Sequence, residues 1–165
     1  MFTKFSFTNN LSKEEDIANV INHISQMCKE ETHPRFKELN LCDYHYCIEQ
    51  AVNDLDLDAE LIEEFLDAYV MQILEVIPQF ENYFDELREN DHSMIVFDYS
   101  HIRNLAHKNL GVARNLRIKD AEKLLSVMMK TENLEYLELC LDALETFAIR
   151  LRPNIAYDKC LALYE

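Results

Sequence analysis

The sequence predicts an all-α fold, and three observations carry that prediction. The 165 residues contain a single glycine, Gly111, and three prolines, too little turn chemistry for a meander of short strands. Apolar residues recur every three or four positions through most of the chain, the spacing of helices with one buried face. Hydrophobic residues make up 48% of the composition, yet no run approaches the ~18 to 20 apolar residues of a membrane span. One core is expected, since a chain of this size buries roughly 70% of its unfolded surface.

Ser12-Lys-Glu-Glu15 matches the S-x-x-E capping box, and Ile17, Val20, Ile21 and Ile24 follow at helical spacing, so a first helix is predicted over about 12–30. Its apolar stripe needs a mate, on this bundle or on another chain. The polar stretch from Glu30 to Asn40, which holds Pro34, reads as a linker, followed by a short helix from about Asp43 to Asn53. From Asp58 to about Arg88, Leu61, Ile62, Phe65, Leu66, Tyr69, Ile73, Ile77, Phe80, Phe84 and Leu87 mark a long amphipathic helix, with Pro78 a candidate kink. Glu89 to Ser93 reads as a polar loop.

The next helix begins near Asp98 or Ser100 and turns Ile102, Leu105, Ala106, Ala113 and Leu116 inward, leaving His107 off that stripe. A short helix from about Ile118 to Lys130 buries Ala121, Leu124, Leu125 and Met128. The last one buries Leu134, Leu137, Leu141, Leu144, Ala148 and Leu151, and Pro153 stops it. The expected architecture is an antiparallel four-helix up-and-down bundle over about 58–151, inside a bundle domain of 41–165, with additional N-terminal helices and a linker in 1–40.

Charge and composition exclude several functions. Thirty-one acidic residues against 16 basic ones leave a net charge of −15, a poor match for nucleic acid or anionic lipid, so a protein partner is expected. One glycine cannot build a P-loop, a Rossmann turn or a kinase glycine loop, so no nucleotide cofactor is expected. The five cysteines are odd in number and lack C-x-x-C spacing, which predicts free thiols in a reducing cytoplasm. Cys42, His45 and Cys47 have no fourth ligand nearby, so no metal site is assigned to them. The start MFTKFSFTNN does not resemble a signal peptide, and Met1 suggests a stand-alone chain.

Against this acidic background, Met94 to Arg117 carries Arg103, Lys108, Arg114 and Arg117 against one acid, Asp98. Such a basic island can receive phosphate or an acidic partner surface. At its centre His107 and Gly111 lie four residues apart, on one helical face. Glycine inside a helix costs about 1 kcal/mol relative to alanine, so it must bring something: close packing of two helices, or the approach of another protein's backbone to the histidine. A neutral imidazole is a competent nucleophile for a phosphoryl group.

The stretch from Ile102 to Leu116 resembles the histidine-containing phosphotransfer (HPt) domains of bacterial phosphorelays. Ala106, His107, Gly111, Val112, Ala113 and Leu116 fall in register with the family pattern, and the resemblance runs from Asp58 to Leu151. It implies that receiver domains of response regulators or hybrid kinases dock on the His107 face, that His107 takes the phosphoryl group from a phospho-aspartate, and that a second receiver removes it. It also implies that Mg²⁺ sits on the receiver and that this chain needs no cofactor. Leu110 stands where the family usually has lysine, leaving Lys108 and Arg114 to supply charge while Leu110 offers the partner an apolar patch. Arg117 stands where the family often has a helix-ending glycine, so a different turn is expected there. The alternative reading is a helical adaptor that docks a receiver or another signalling protein without carrying phosphate.

Overall fold

The computed structural model describes residues 7, 10–30, 34–90 and 97–162. Among these residues the chain is all-helical, without a strand: α1 Lys13–Glu30, α2 Pro34–Leu39, α3 Ile48–Leu55, α4 Ala59–Asn90, α5 Ser100–Asn115, α6 Lys119–Met128, α7 Leu134–Leu151 and α8 Pro153–Ala162. None of these helices is long and apolar enough to cross a membrane. Of the expected polar loop, Glu89 and Asn90 end α4, and 91–93 lie outside the described residues.

The capping box forms in both directions. The Glu15 N–H donates to Ser12 Oγ at 3.3 Å and the Ser12 N–H donates to Glu15 Oε2 at 3.1 Å, satisfying amides that a helix start leaves open. Val20 and Ile24 of α1 are buried and α1 packs on α7 and α8, so the stripe finds its mate within this chain. Asn133 caps α7 through its side chain, which accepts the Tyr136 N–H at 2.8 Å.

α4 organises the rest. It packs on α3, α5, α7 and α8, and its buried arc is therefore wide, taking in Val70, Leu74 and Val76 beside the predicted stripe. Phe80 and Phe84 are 0% and 1% exposed, each a burial of roughly 1.5–3 kcal/mol. α5 also packs on α6, and α6 on α7. Gln72 meets Asn109 and Tyr83 meets His101, so α4 and α5 run in opposite directions. A single apolar cluster extends from Val20 of α1 to Ala156 of α8.

Several expectations need correction. The linker from Glu30 to Asn40 contains α2, with Pro34 at the first helical position, where its missing N–H costs no hydrogen bond. α3 starts at Ile48 rather than Asp43, because residues 41–47 run as turn and irregular backbone, extended at Cys47. Pro153 stops nothing for long: Arg152 leaves the helical region and Pro153 opens α8, which covers α4, α7 and α1. The apolar residues of α8 are spread around its circumference, so no periodic stripe announced it. Phe65, expected inward, is 41% exposed. It shares a helix face with Gln72, and about two turns earlier on α4 that face passes the end of α5.

The cysteines also differ from expectation. Cys28, near the end of α1, and Cys42 are joined in a disulfide with Cα atoms 5.4 Å apart. Tertiary packing brings the end of α1 beside the turn that opens segment 41–47, a proximity that spacing along the chain does not encode. Cys47, Cys140 and Cys160 take part in no disulfide among the described residues, and Cys140 is a buried core residue.

The α5–α6 corner is built by a Schellman motif. The Ile118 N–H donates to Ala113 O at 2.9 Å and the Arg117 N–H to Arg114 O at 3.1 Å. Arg117 adopts φ 62°, the left-handed region. The turn is thus the one glycine normally makes, with arginine in its place, at a strain of about 1–2 kcal/mol. The expected different turn is not found. The non-helical segment 41–47 supports the corner: Tyr44 Oη donates to Arg117 O at 3.0 Å and Tyr46 Oη to Leu116 O at 2.8 Å.

Candidate functional site

The register of α5 decides which of the candidate residues share a surface. Ile102, Ala106, Asn109, Leu110 and Ala113 are buried, and the opposite side carries His107, Lys108, Gly111 and Arg114, all exposed. His107, Gly111 and Arg114 follow one another at four and three residues, on one face. Leu110 does not belong with them. It is 3% exposed and part of the core, so no partner reaches it and it offers no apolar patch. The inward spacing of Ala106, Asn109, Leu110 and Ala113 was itself readable in the sequence.

Gly111 has no structural task within the described fold. A Cβ added there would meet nothing within 4 Å, and its backbone is not in the left-handed region. The packing explanation therefore fails, because among the described residues no neighbouring helix comes close enough to need the missing side chain. What the glycine provides is open surface one turn beyond an exposed imidazole.

The basic island is smaller than the sequence implies. Arg103 pairs with Glu132. Arg114 Nε reaches Glu122 Oε1 at 3.3 Å, and Glu122 is shared with Lys119 at 3.2 Å. The Arg117 guanidinium donates to Arg114 O at 2.9 Å. Among the described residues, no hydrogen bond or ion pair engages His107 or Lys108, so the Lys108 ammonium is the cation beside the imidazole that carries no internal counter-charge there. Arg114, 56% exposed, can add a second at the cost of its link to Glu122.

Beneath this face lies a polar contact that the sequence reading missed. Gln72 Nε2 donates to Asn109 Oδ1 at 2.8 Å, and Asn109 Nδ2 donates to Leu105 O at 2.8 Å. Asn109 is 1% exposed, so both ends of its amide are satisfied, as burial demands. The signal was an asparagine on the inward stripe of α5 facing a glutamine on α4. His101 stacks on Tyr83, with ring centroids 5.0 Å apart and planes 5° apart. It is exposed, on the first turn of α5. At the start of α5, Asp98 accepts the Ser100 N–H at 2.9 Å, and the Ser100 hydroxyl and amide hold its carboxyl below the ordinary 3.8.

A second polar group sits at the far end of α5. Arg150 Nη2 lies 3.5 Å from Asp120 Oδ2 and donates to Tyr44 O at 2.9 Å, and its guanidinium covers the Phe147 ring at 4.4 Å. Burial pushes the Asp120 carboxyl up, against the opposing pull of the Ala121 amide and Arg150. Burial likewise lowers Arg150. Tyr44 is raised and Tyr46 is pushed up to about 12, in both cases chiefly by burial, so both phenols stay protonated donors. A cleft of about 320 Å³ between α4 and α7 is lined by Glu81, Asp85, Arg88, Glu138 and Asp142 and contains none of the predicted site residues. The expected thiol at Cys42 is bonded to Cys28, which removes it as a metal ligand.

Chemically, the α5 face presents a solvent-accessible imidazole, an ammonium beside it and unobstructed backbone one turn away. Such a face can offer a nucleophilic nitrogen to a group delivered by another molecule. No family model matches the chain, and neither the curated proteins nor the solved structures contain a match to it.

Proposed function

We propose that this chain is a phosphotransfer intermediate of the HPt type, in which His107 accepts a phosphoryl group from a receiver-domain phospho-aspartate and passes it to another receiver. The observation that carries this reading is the open space at Gly111, one turn from the exposed His107. A helix that forgoes about 1 kcal/mol for a side chain its own fold could accommodate is recovering that energy outside the fold.

The finer architecture belongs to the same proposal. The pairing of α4 with α5 and α7, and of α6 with α5 and α7, supports an antiparallel four-helix bundle, with α1–α3 and α8 added around it. In the transfer step an unprotonated ring nitrogen of His107 attacks phosphorus in line as the aspartyl oxygen–phosphorus bond breaks, and the aspartate leaves as a carboxylate. Lys108 offsets charge on the phosphoryl oxygens. The Mg²⁺ and acidic groups belong to the receiver. Phe65 and Ala68, exposed on the α5-facing side of α4, extend the surface with apolar contacts. The proposed location is the cytoplasm, where such receivers work.

A second reading has its own support. With Leu110 buried, the position that usually supplies a lysine has no cation, which favours an adaptor that docks receivers without carrying phosphate. Radiolabelled phospho-receivers offered to the wild type and to His107→Gln separate the two. Acid-labile label on the wild type alone is the expected result. Measurable docking with no label from any donor would establish the adaptor instead.

A further inference from the structure

We propose that Cys28 and Cys42 form a reversible thiol–disulfide lock that fastens α1 to the α5–α6 corner through the non-helical segment 41–47. The proposal stands apart from the phosphotransfer reading, since neither cysteine touches the α5 face. Two independent observations meet at Cys42. Its sulfur is bonded to Cys28, on the last turns of α1. Its carbonyl accepts Arg150 Nη1 at 3.4 Å, and two residues on the Tyr44 carbonyl accepts Arg150 Nη2 at 2.9 Å.

From that point the attachments continue to the corner. Lys123 Nζ donates to Leu39 O at 2.7 Å, the Lys119 N–H to Tyr44 Oη at 3.2 Å, and Tyr44 and Tyr46 cap the carbonyls of Arg117 and Leu116. The strained Arg117 turn is therefore held by a segment whose N-terminal end is fixed covalently. On the α1 side, the buried anchors Val20 and Ile24 lie in the middle of the helix, and none of residues 25–29 is fully buried. The disulfide fastens that last part of α1. Both cysteines are half-buried at the edge of the core, so the bond is not sealed inside it.

The chemistry closes with a glutathione-type couple. A thiolate at one cysteine attacks glutathione disulfide, forming a mixed disulfide and releasing one glutathione. The other cysteine's thiolate then displaces the second glutathione and closes the Cys28–Cys42 bond. Two protons and two electrons leave the pair of thiols and reduce one glutathione disulfide to two glutathiones, and the reverse opens the lock. A disulfide placed between two elements rather than inside the core can open without unpacking the fold, as a reversible bond requires.

The test uses the full chain equilibrated in glutathione buffers of graded ratio, quenched by alkylation and read by mass spectrometry, with amide hydrogen exchange at the two extremes. Cys28 and Cys42 are expected to gain and lose alkylation together. Reduction is expected to speed exchange at least tenfold at 26–30, 41–47 and 117–119, while amides around Phe80 and Phe84 stay unchanged. Cys47→Ser, which removes the exposed free thiol in the same segment, should behave as wild type. Alkylation of both cysteines at every ratio, pairing of Cys42 with Cys47, or exchange at 117–119 that ignores the redox state would each overturn the proposal. Because reduction needs no substitution, a variant that fails to fold cannot obscure the answer.

Discussion

Gln72 on α4 and Asn109 on α5 are joined by a 2.8 Å amide hydrogen bond beneath the exposed face that carries His107. Asn109→Ala removes the acceptor and strands the Gln72 amide in a part-buried seam, a loss of about 1–3 kcal/mol. Replacing both residues by leucine is expected to recover most of it, because no polar group is then left unpaired. Urea unfolding at constant m-value measures both. A double variant no more stable than Asn109→Ala would assign the loss to packing instead.

Gly111 separates stability from function. Since an added Cβ meets nothing within 4 Å, Gly111→Ala is expected to stabilise the chain by about 1 kcal/mol. Gly111→Phe should also leave the helical circular dichroism signal intact, yet slow labelling of His107 at least tenfold by filling the approach to the ring. Unchanged labelling in the phenylalanine variant would disconnect the glycine from transfer.

Arg117 sits at φ 62°, and glycine relieves that strain. Against the ~1–2 kcal/mol recovered stands ~0.4–1 kcal/mol of added freedom in the unfolded chain. Arg117→Gly is thus expected to raise stability by roughly 0.5 kcal/mol. Arg117→Ala loses the same side chain while keeping the strain and should show no gain. Thermal unfolding of the two variants side by side decides it.

Asp120 sets a pH dependence of stability. Its folded pKa lies above the ordinary 3.8 because of burial, so the folded state holds this proton more tightly than the unfolded one. The contribution is fully present below 3.8 and is lost as pH rises through the raised value. The unfolding free energy of wild type minus that of Asp120→Asn should therefore fall as pH climbs above 3.8. A difference that rises over the same range would mean that Arg150 outweighs burial.

Much of the fold was legible because it rests on local rules. Ser12 and Glu15 announced α1, and Ile102, Ala106 and Ala113 placed α5 with His107 outward. What escaped depends on neighbours. Pro153 follows one helix and opens another, and a proline suits both positions. Phe65 obeys the apolar spacing of α4, but α5 has ended by the level it occupies. Leu110 stands where the family pattern it resembles has a surface lysine, whereas its spacing from Ala106 and Ala113 points inward. The Cys28–Cys42 bond and the Gln72–Asn109 pair join segments whose proximity only the packed structure supplies.

The tyrosines at the α5–α6 corner also bear on the order in which the chain folds. Tyr44 and Tyr46 lie 73 and 70 positions from the carbonyls they cap, while α5 and α6 are neighbours along the chain. Closing so long a loop is entropically costly and comes late, whereas the helical hairpin forms from near contacts. On this view Tyr46→Phe leaves the folding arm of a chevron plot in place and lifts the unfolding arm several-fold. Equal movement of both arms would put the segment in the folding nucleus. A hydroxyl contributed from a distant segment then acts as a brake on unfolding, and governs how long the corner survives rather than how fast it is made.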